Sequence, residues 1–189
     1  ETLEEAIARY PDTPQAIQAH YLTAESYRLA AKVPQAKLEQ DSVATAKTLH
    51  FRRMQELLGN AIAHYEHVQK SLNQQLEEGG VSPVEHAMLR NSYFAAGAAL
   101  FDLTRYEEAI RVYSTATNRY QREPEVLDAF LQIAHCYRKL GKTAEARGAI
   151  QQALVVLSRM PPEPSRAFQN TSNLSRQQWT DLLEWLAKI

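Results

Sequence analysis

The chain writes one phrase twice. Residues 9–28 read RYPDTPQAIQAHYLTAESYR and residues 119–138 read RYQREPEVLDAFLQIAHCYR. Laid together without a gap, they share Arg9 and Arg119, Tyr10 and Tyr120, Pro14 and Pro124, Ala19 and Ala129, Ala24 and Ala134, Tyr27 and Tyr137, and Arg28 and Arg138. The copies stand roughly three short repeat lengths apart, the mark of a chain assembled from one supersecondary unit. A unit of that size cannot bury its apolar faces alone, so its copies must stack.

The helix breakers show what the unit is. Six Gly and eight Pro occur in 189 residues, and they stand where helices should stop and start. Thr13-Pro14, Val33-Pro34 and Glu123-Pro124 put Pro at a first helical position, where its missing N–H is no loss. Gly79-Gly80 ends one long helical segment, and Ser82-Pro83-Val84-Glu85 opens the next as a capping box. Gly141 is placed to stop the helix that follows Pro124. Strand-type alternation is almost absent. The pattern predicts an all-helical protein.

Between the breaks, apolar residues recur at helical spacing: Phe130, Ile133, Ala134 and Tyr137, then Ala146, Ile150, Ala153 and Leu154. The same pair of stripes occurs earlier as Tyr93, Ala96, Gly97 and Leu100, then Ala109, Tyr113 and Ala116. One spacing separates Gly97 from Ala134, Ala109 from Ala146 and Ala116 from Ala153. Each copy is therefore the first helix of a helix–turn–helix unit, with small residues where two helices cross closely.

These segments, YFAAGAALFDLTRYEEAIRVYSTA and FLQIAHCYRKLGKTAEARGAIQQAL, resemble tetratricopeptide (TPR) repeats. They carry the family's large–small pairs in the first helix and its A-x3-hydrophobic-x2-A run in the second. The match covers residues 83–158, extends more loosely over 3–31, and fails over 32–80. The resemblance implies an all-α, right-handed superhelical array of helix–turn–helix repeats, spanning residues 1–160, with 34–80 as an irregular, elongated unit. The RYPDTPQA form resembles the variety common in bacterial periplasmic and outer-membrane-assembly proteins, which would place the chain in the cell envelope. The opening ETLEEAIARY reads as the end of an amphipathic helix and points to a fragment or processed product.

Within the elongated unit, Met54, Leu58, Ala61, Tyr65, Val68 and Leu72 form a seam suited to another helix. Either the second helix overruns its neighbours, or the 50–78 segment protrudes and serves self-association, giving a homodimer. Residues 161–174 read as a polar connector. Residues 175–189 read as an amphipathic helix, with Ser175 and Gln178 as its capping box and Trp179, Leu182, Leu183 and Leu186 on one face. That helix is expected to cover the open end of the stack against Ile150 and Leu154.

Chemistry is sparse. A net charge of -1 gives no footprint for nucleic acid, and no apolar run is long enough to span a bilayer. His64 and His67 lie three apart but lack converging partners in the sequence, so they read as solvated surface rather than metal ligands. His20 could face either the core or a groove. Cys136 sits in an apolar stripe and reads as a small buried hydrophobe. The paired glutamates Glu4-Glu5, Glu77-Glu78 and Glu107-Glu108 read as surface charge, and the triplets at Asn170 and Asn173 as connector polarity. No motif calls for a cofactor, a metal or catalysis.

What remains is a surface. In the family the first helices line a concave side, so the resemblance implies a protein or peptide partner there. The residues it would meet are Gln18, Tyr21, Glu25 and Arg28, then Asn91, Phe94 and Phe101, then Asp128, Leu131, His135 and Arg138. Aromatics, Arg and amides of this kind suit an extended peptide or a helix in a groove. Arg28 and Arg138 follow core tyrosines and so should point to the concave side or its rim, where Arg favours an acidic segment. The alternative is that each pairs with a Glu or Asp of the neighbouring helix and stiffens the stack. The lysines of the family's clamp for C-terminal carboxylates are missing.

Overall fold

A computed structural model describes residues 2–11, 13–161, 168, 172 and 174–188. Every regular element among them is a helix: α1 (Leu3–Arg9), α2 (Pro14–Gln40), α3 (Ala44–Glu78), α4 (Pro83–Asp102), α5 (Tyr106–Arg119), α6 (Val126–Lys139), α7 (Thr143–Arg159) and α8 (Arg176–Lys188). The chain divides into two compact units, Glu1–Thr104 and Arg105–Ile189.

In the first unit the local chemistry sets most boundaries. A capping box between Thr2 and Glu5 opens α1. The Thr13 hydroxyl accepts the Ala16 N–H at the head of α2, with Pro14 at its first position. The Ser82–Glu85 box opens α4, its Ser82 N–H donating to Glu85 at 2.7 Å. Gly79, at a φ of 121°, ends α3.

Pro34 departs from its expected place. It does not start a helix but lies inside α2, which runs unbroken for 27 residues. The ring deprives the Ala30 carbonyl of its donor, yet Pro φ is compatible with a helix. Pro34 is buried beside Ala31 on the inner face, while Ala30 faces solvent, where its carbonyl can be hydrated. Burial on the inner face outweighs one lost hydrogen bond.

The 35-residue α3 packs antiparallel to α2 and also against α4. Its seam of Met54, Leu58, Ala61, Tyr65, Val68 and Leu72 is buried by those neighbours within the same chain. The seam that would have carried self-association is thus already occupied. Burying its Met, Leu and Val side chains contributes roughly 1.5–3 kcal/mol each, which explains how so long a helix is held.

The second unit is a chain of neighbouring pairs: α5 on α6, α6 on α7, and α7 on α8. Gly141 closes α6 with φ 73°, its N–H donating to Arg138 O and the Lys142 N–H donating to Tyr137 O. That is the paired bonding of a Schellman turn. The equivalent turn after α4 places Thr104 at φ 59°, where the other copy has Gly141.

As expected, α8 opens on a Ser175–Gln178 capping box and packs on α7. Trp179 and Leu183 are buried, Leu182 and Leu186 are half-buried, and Trp185 is exposed. The Arg176 guanidinium donates to the carbonyls of Leu157, Met160 and Pro161, satisfying the last turn of α7 and pinning α8 to it. The Trp179 indole N–H donates to Ser172 at 2.7 Å. Most of the connector, with Asn170 and Asn173, lies outside the described residues.

Candidate functional site

Within the first unit, α2 and α4 run parallel on one side of α3. Tyr21 of α2 meets Asn91 of α4 through a hydrogen bond, and further along both helices Gln35 hydrogen-bonds Asp102. The expected surface residues of the two first helices therefore come together here, and the geometry ties several of them down. Tyr65 reaches from α3 to donate to Glu25 at 2.5 Å, and Arg28 donates to the other carboxylate oxygen at 2.6 Å. Tyr21 lies edge-on to Tyr65, with ring centroids 6.2 Å apart.

Desolvation works to raise the Glu25 pKa, but hydrogen bonds from Arg28 and Tyr65 outweigh it and hold the carboxylate below its usual range. Burial, with Glu25 beside it, raises the Tyr65 phenol. Burial raises the Asp102 carboxyl despite the nearby Arg28 charge and the Gln35 hydrogen bond. Arg28 is consequently a tie within its own helix, half-buried, with its Nε enclosed and unpartnered. Gln18 and Asn91 remain exposed; Phe94 and Phe101 are half-buried.

The same unit corrects the reading of His64 and His67 as solvated surface. His20 of α2 brings its Nδ1 within 2.7 Å of the His64 Nδ1 and stacks on His67 with centroids 3.8 Å apart. Tyr27 stacks on His64 and donates to Glu4 of α1. Desolvation, then the neighbouring imidazoles His67 and His64, lowers the His20 pKa to about 4. His64 is lowered by desolvation and by His67, against a small opposing pull from Glu4. His20 and His64 therefore favour the neutral ring. No group of three or more His, Cys, Asp or Glu among the described residues is arranged to hold a metal ion.

In the second unit, Leu131, His135 and Arg138 line an open cavity of about 310 Å³ between α6 and α7, with Leu186 of α8 at its edge. Ala134, Thr143, Ala146, Arg147 and Ile150 complete the wall. Desolvation and the charges of Lys139 and Arg138 lower the His135 pKa. Asp128 lies two turns before His135 on α6, exposed, with its carboxyl raised by desolvation and by Glu125. Cys136 is fully buried and its thiol is pushed up to about 11, the opposite of an activated nucleophile.

Residues 128–155 match a tetratricopeptide repeat family model. The matched stretch is most of α6, the Gly141 turn and most of α7, which is the hairpin that forms the cavity. TPR repeats commonly mediate protein–protein contacts, and the helical architecture around this hairpin is of the TPR type. No curated protein matches the chain. Among the described residues no helix is long and apolar enough to cross a membrane.

Two features of the site were not read from the sequence. The histidine cluster joins residues 44 positions apart, so only the register of α2 against α3 reveals it. The cavity depends on where α8 comes to rest on α7. The Glu25–Arg28 tie also departs from the expectation of an Arg28 facing a partner, although opposite charges three residues apart on a helix are a signal that could have found it.

Proposed function

We propose that the chain is a non-catalytic protein-interaction module that binds a peptide or a helix along its first-helix faces. The contact residues in this reading are Gln18, Tyr21, Glu25, Arg28, Asn91, Phe94, Phe101, Asp128, Leu131, His135 and Arg138. The observation that carries it is the TPR match falling on the hairpin whose first helix presents Leu131, His135 and Arg138 around an open cavity. In the first unit Tyr21 and Asn91 supply a polar and aromatic face held rigid by Tyr65 and Glu25, which lowers the ordering cost of binding. Activity in the cell envelope fits the resemblance of the RYPDTPQA form to periplasmic TPR proteins.

The test is selection of a displayed peptide library on the whole chain, followed by photo-crosslinking of the enriched peptides. A benzophenone amino acid at the exposed positions Gln18, Asn91 or His135 should capture them. The same group at the exposed positions Arg111 of α5 or Gln152 of α7 should not. Enrichment of no peptide, or crosslinks confined to the second helices, overturns the reading.

A further inference from the structure

We infer that the cavity walled by α6, α7 and α8 takes one leucine- or phenylalanine-sized side chain of a partner peptide whose neighbouring residues are acidic. The inference rests on the proposed function and specifies the partner's chemistry at one place. Apolar side chains from three different helices, Leu131, Ile150 and Leu186, converge on a space of about 310 Å³, the lower end of the range in which proteins accept ligands. His135, Arg138 and Arg147 stand among the same lining residues, and no carboxylate is among the described ones. Arg138 is exposed and has no ion-pair partner among the described residues.

That combination selects its occupant. An apolar anchor gains by leaving water, and the Arg138 guanidinium beside it rewards a carboxylate with charge-assisted, forked hydrogen bonds. A neutral apolar peptide would satisfy only the floor, and a free anion only the rim. The cavity is open because α8 packs on α7 rather than settling over α6. Trp185, 59% exposed, adjoins Leu186 on α8 and adds a flat apolar surface beside it. Exposed aromatics and arginines next to a pocket are the composition of binding hot spots.

The experiment uses the full chain and a fluorescein-labelled peptide carrying one Leu flanked on both sides by Glu. The peptide is amidated at its C-terminus, so side chains alone carry the negative charge. Anisotropy should report saturable binding that weakens with added salt, and Trp185 emission should change on titration with unlabelled peptide. Replacing the peptide's Leu by Ala, or its Glu residues by Gln, should each weaken binding about tenfold. Arg138→Glu should abolish binding without shifting the melting temperature, because the residue is exposed. Ala134→Leu, which projects into the cavity, should also block it.

Binding by the Gln-flanked peptide as tight as by the Glu-flanked one overturns the inference, as does binding that Arg138→Glu leaves unchanged. So does the absence of binding. If library peptides still crosslink at Gln18 or Asn91 while the acidic peptide fails, the interaction module stands and only this pocket assignment falls. Failure of the library selection as well would remove the module reading itself.

Discussion

Arg28 and Arg138 end the two copies of one phrase, yet the first is half-buried in an ion pair and the second stands exposed beside a cavity. The cause is local. Three residues before Arg28 stands Glu25; three residues before Arg138 stands His135. In the first unit the long α3 also supplies Tyr65, which holds Glu25 from the other side. In the second unit α7 places Ala146, Arg147 and Ile150 opposite, none of which can neutralise a guanidinium. The lesson is that a repeat conserves its backbone through small and aromatic residues, while a single position one turn away decides whether its arginine is structural or available.

The largest effect expected on this contrast comes from the helix that closes the second unit. Trp179 is 2% exposed and hydrogen-bonded, so Trp179→Ala should cost about 3–5 kcal/mol. Urea unfolding monitored by circular dichroism would measure it. A loss below 1 kcal/mol would mean that α8 adds little to the stability of that unit. The next effect exchanges the distinguishing residues. Glu25→His removes the carboxylate to which both Tyr65 and Arg28 donate and should cost about 1–3 kcal/mol. The reciprocal His135→Glu should leave stability nearly unchanged, since the site is exposed, while tethering Arg138 and weakening acidic-peptide capture. Equal stability changes in both variants would break the comparison.

Much of this architecture could be read before any coordinates. The boxes at Ser82–Glu85 and Ser175–Gln178, the stops at Gly79 and Gly141, and the Met54–Leu72 seam all depend on spacings within one helix or turn. Pro34 misled because proline at a first helical position and proline inside a helix look alike in sequence; the buried face that tolerates it belongs to tertiary packing. His20, His64 and His67 were out of reach for the same kind of reason. Periodicity assigns a face to each helix, but it does not say which turn of α2 sits against which turn of α3.

That histidine cluster supplies a smaller, pH-dependent difference between the units. His20 titrates near 6.5 when unfolded and at about 4 when folded, so its folded pKa is lowered. Its burial as a neutral ring therefore costs nothing above pH 6.5, and stability falls as pH drops from 6.5 towards 4, because the unfolded chain takes up the proton first. Glu4 from α1 and Tyr27 from α2 face the same cluster from its other sides, and only Glu4 favours the charged form of His64. His20→Phe keeps a ring against His67 without a basic nitrogen. Its unfolding midpoint should decline less than the parent's across that window, and identical slopes would show that the cluster carries no titrating strain.

The smallest effect lies at the turn where the first unit ends. Thr104 adopts φ 59° after α4, the conformation that Gly141 adopts after α6. A β-branched side chain there brings Cβ against the neighbouring carbonyl at a cost of roughly 1–2 kcal/mol, and no Cβ contact arises at Gly141. Glycine relieves that strain but enlarges the conformational freedom of the unfolded chain, which returns part of the gain. Thr104→Gly should therefore stabilise by about 0.5–1 kcal/mol, and Gly141→Thr should destabilise by somewhat more, since it adds strain to a turn that has none. Both shifts are measurable as changes in urea midpoint at constant slope. If Thr104→Gly instead lowers the midpoint, the exposed threonine is stabilising its turn through the side chain, and the two turns are not physically equivalent despite their matching backbone.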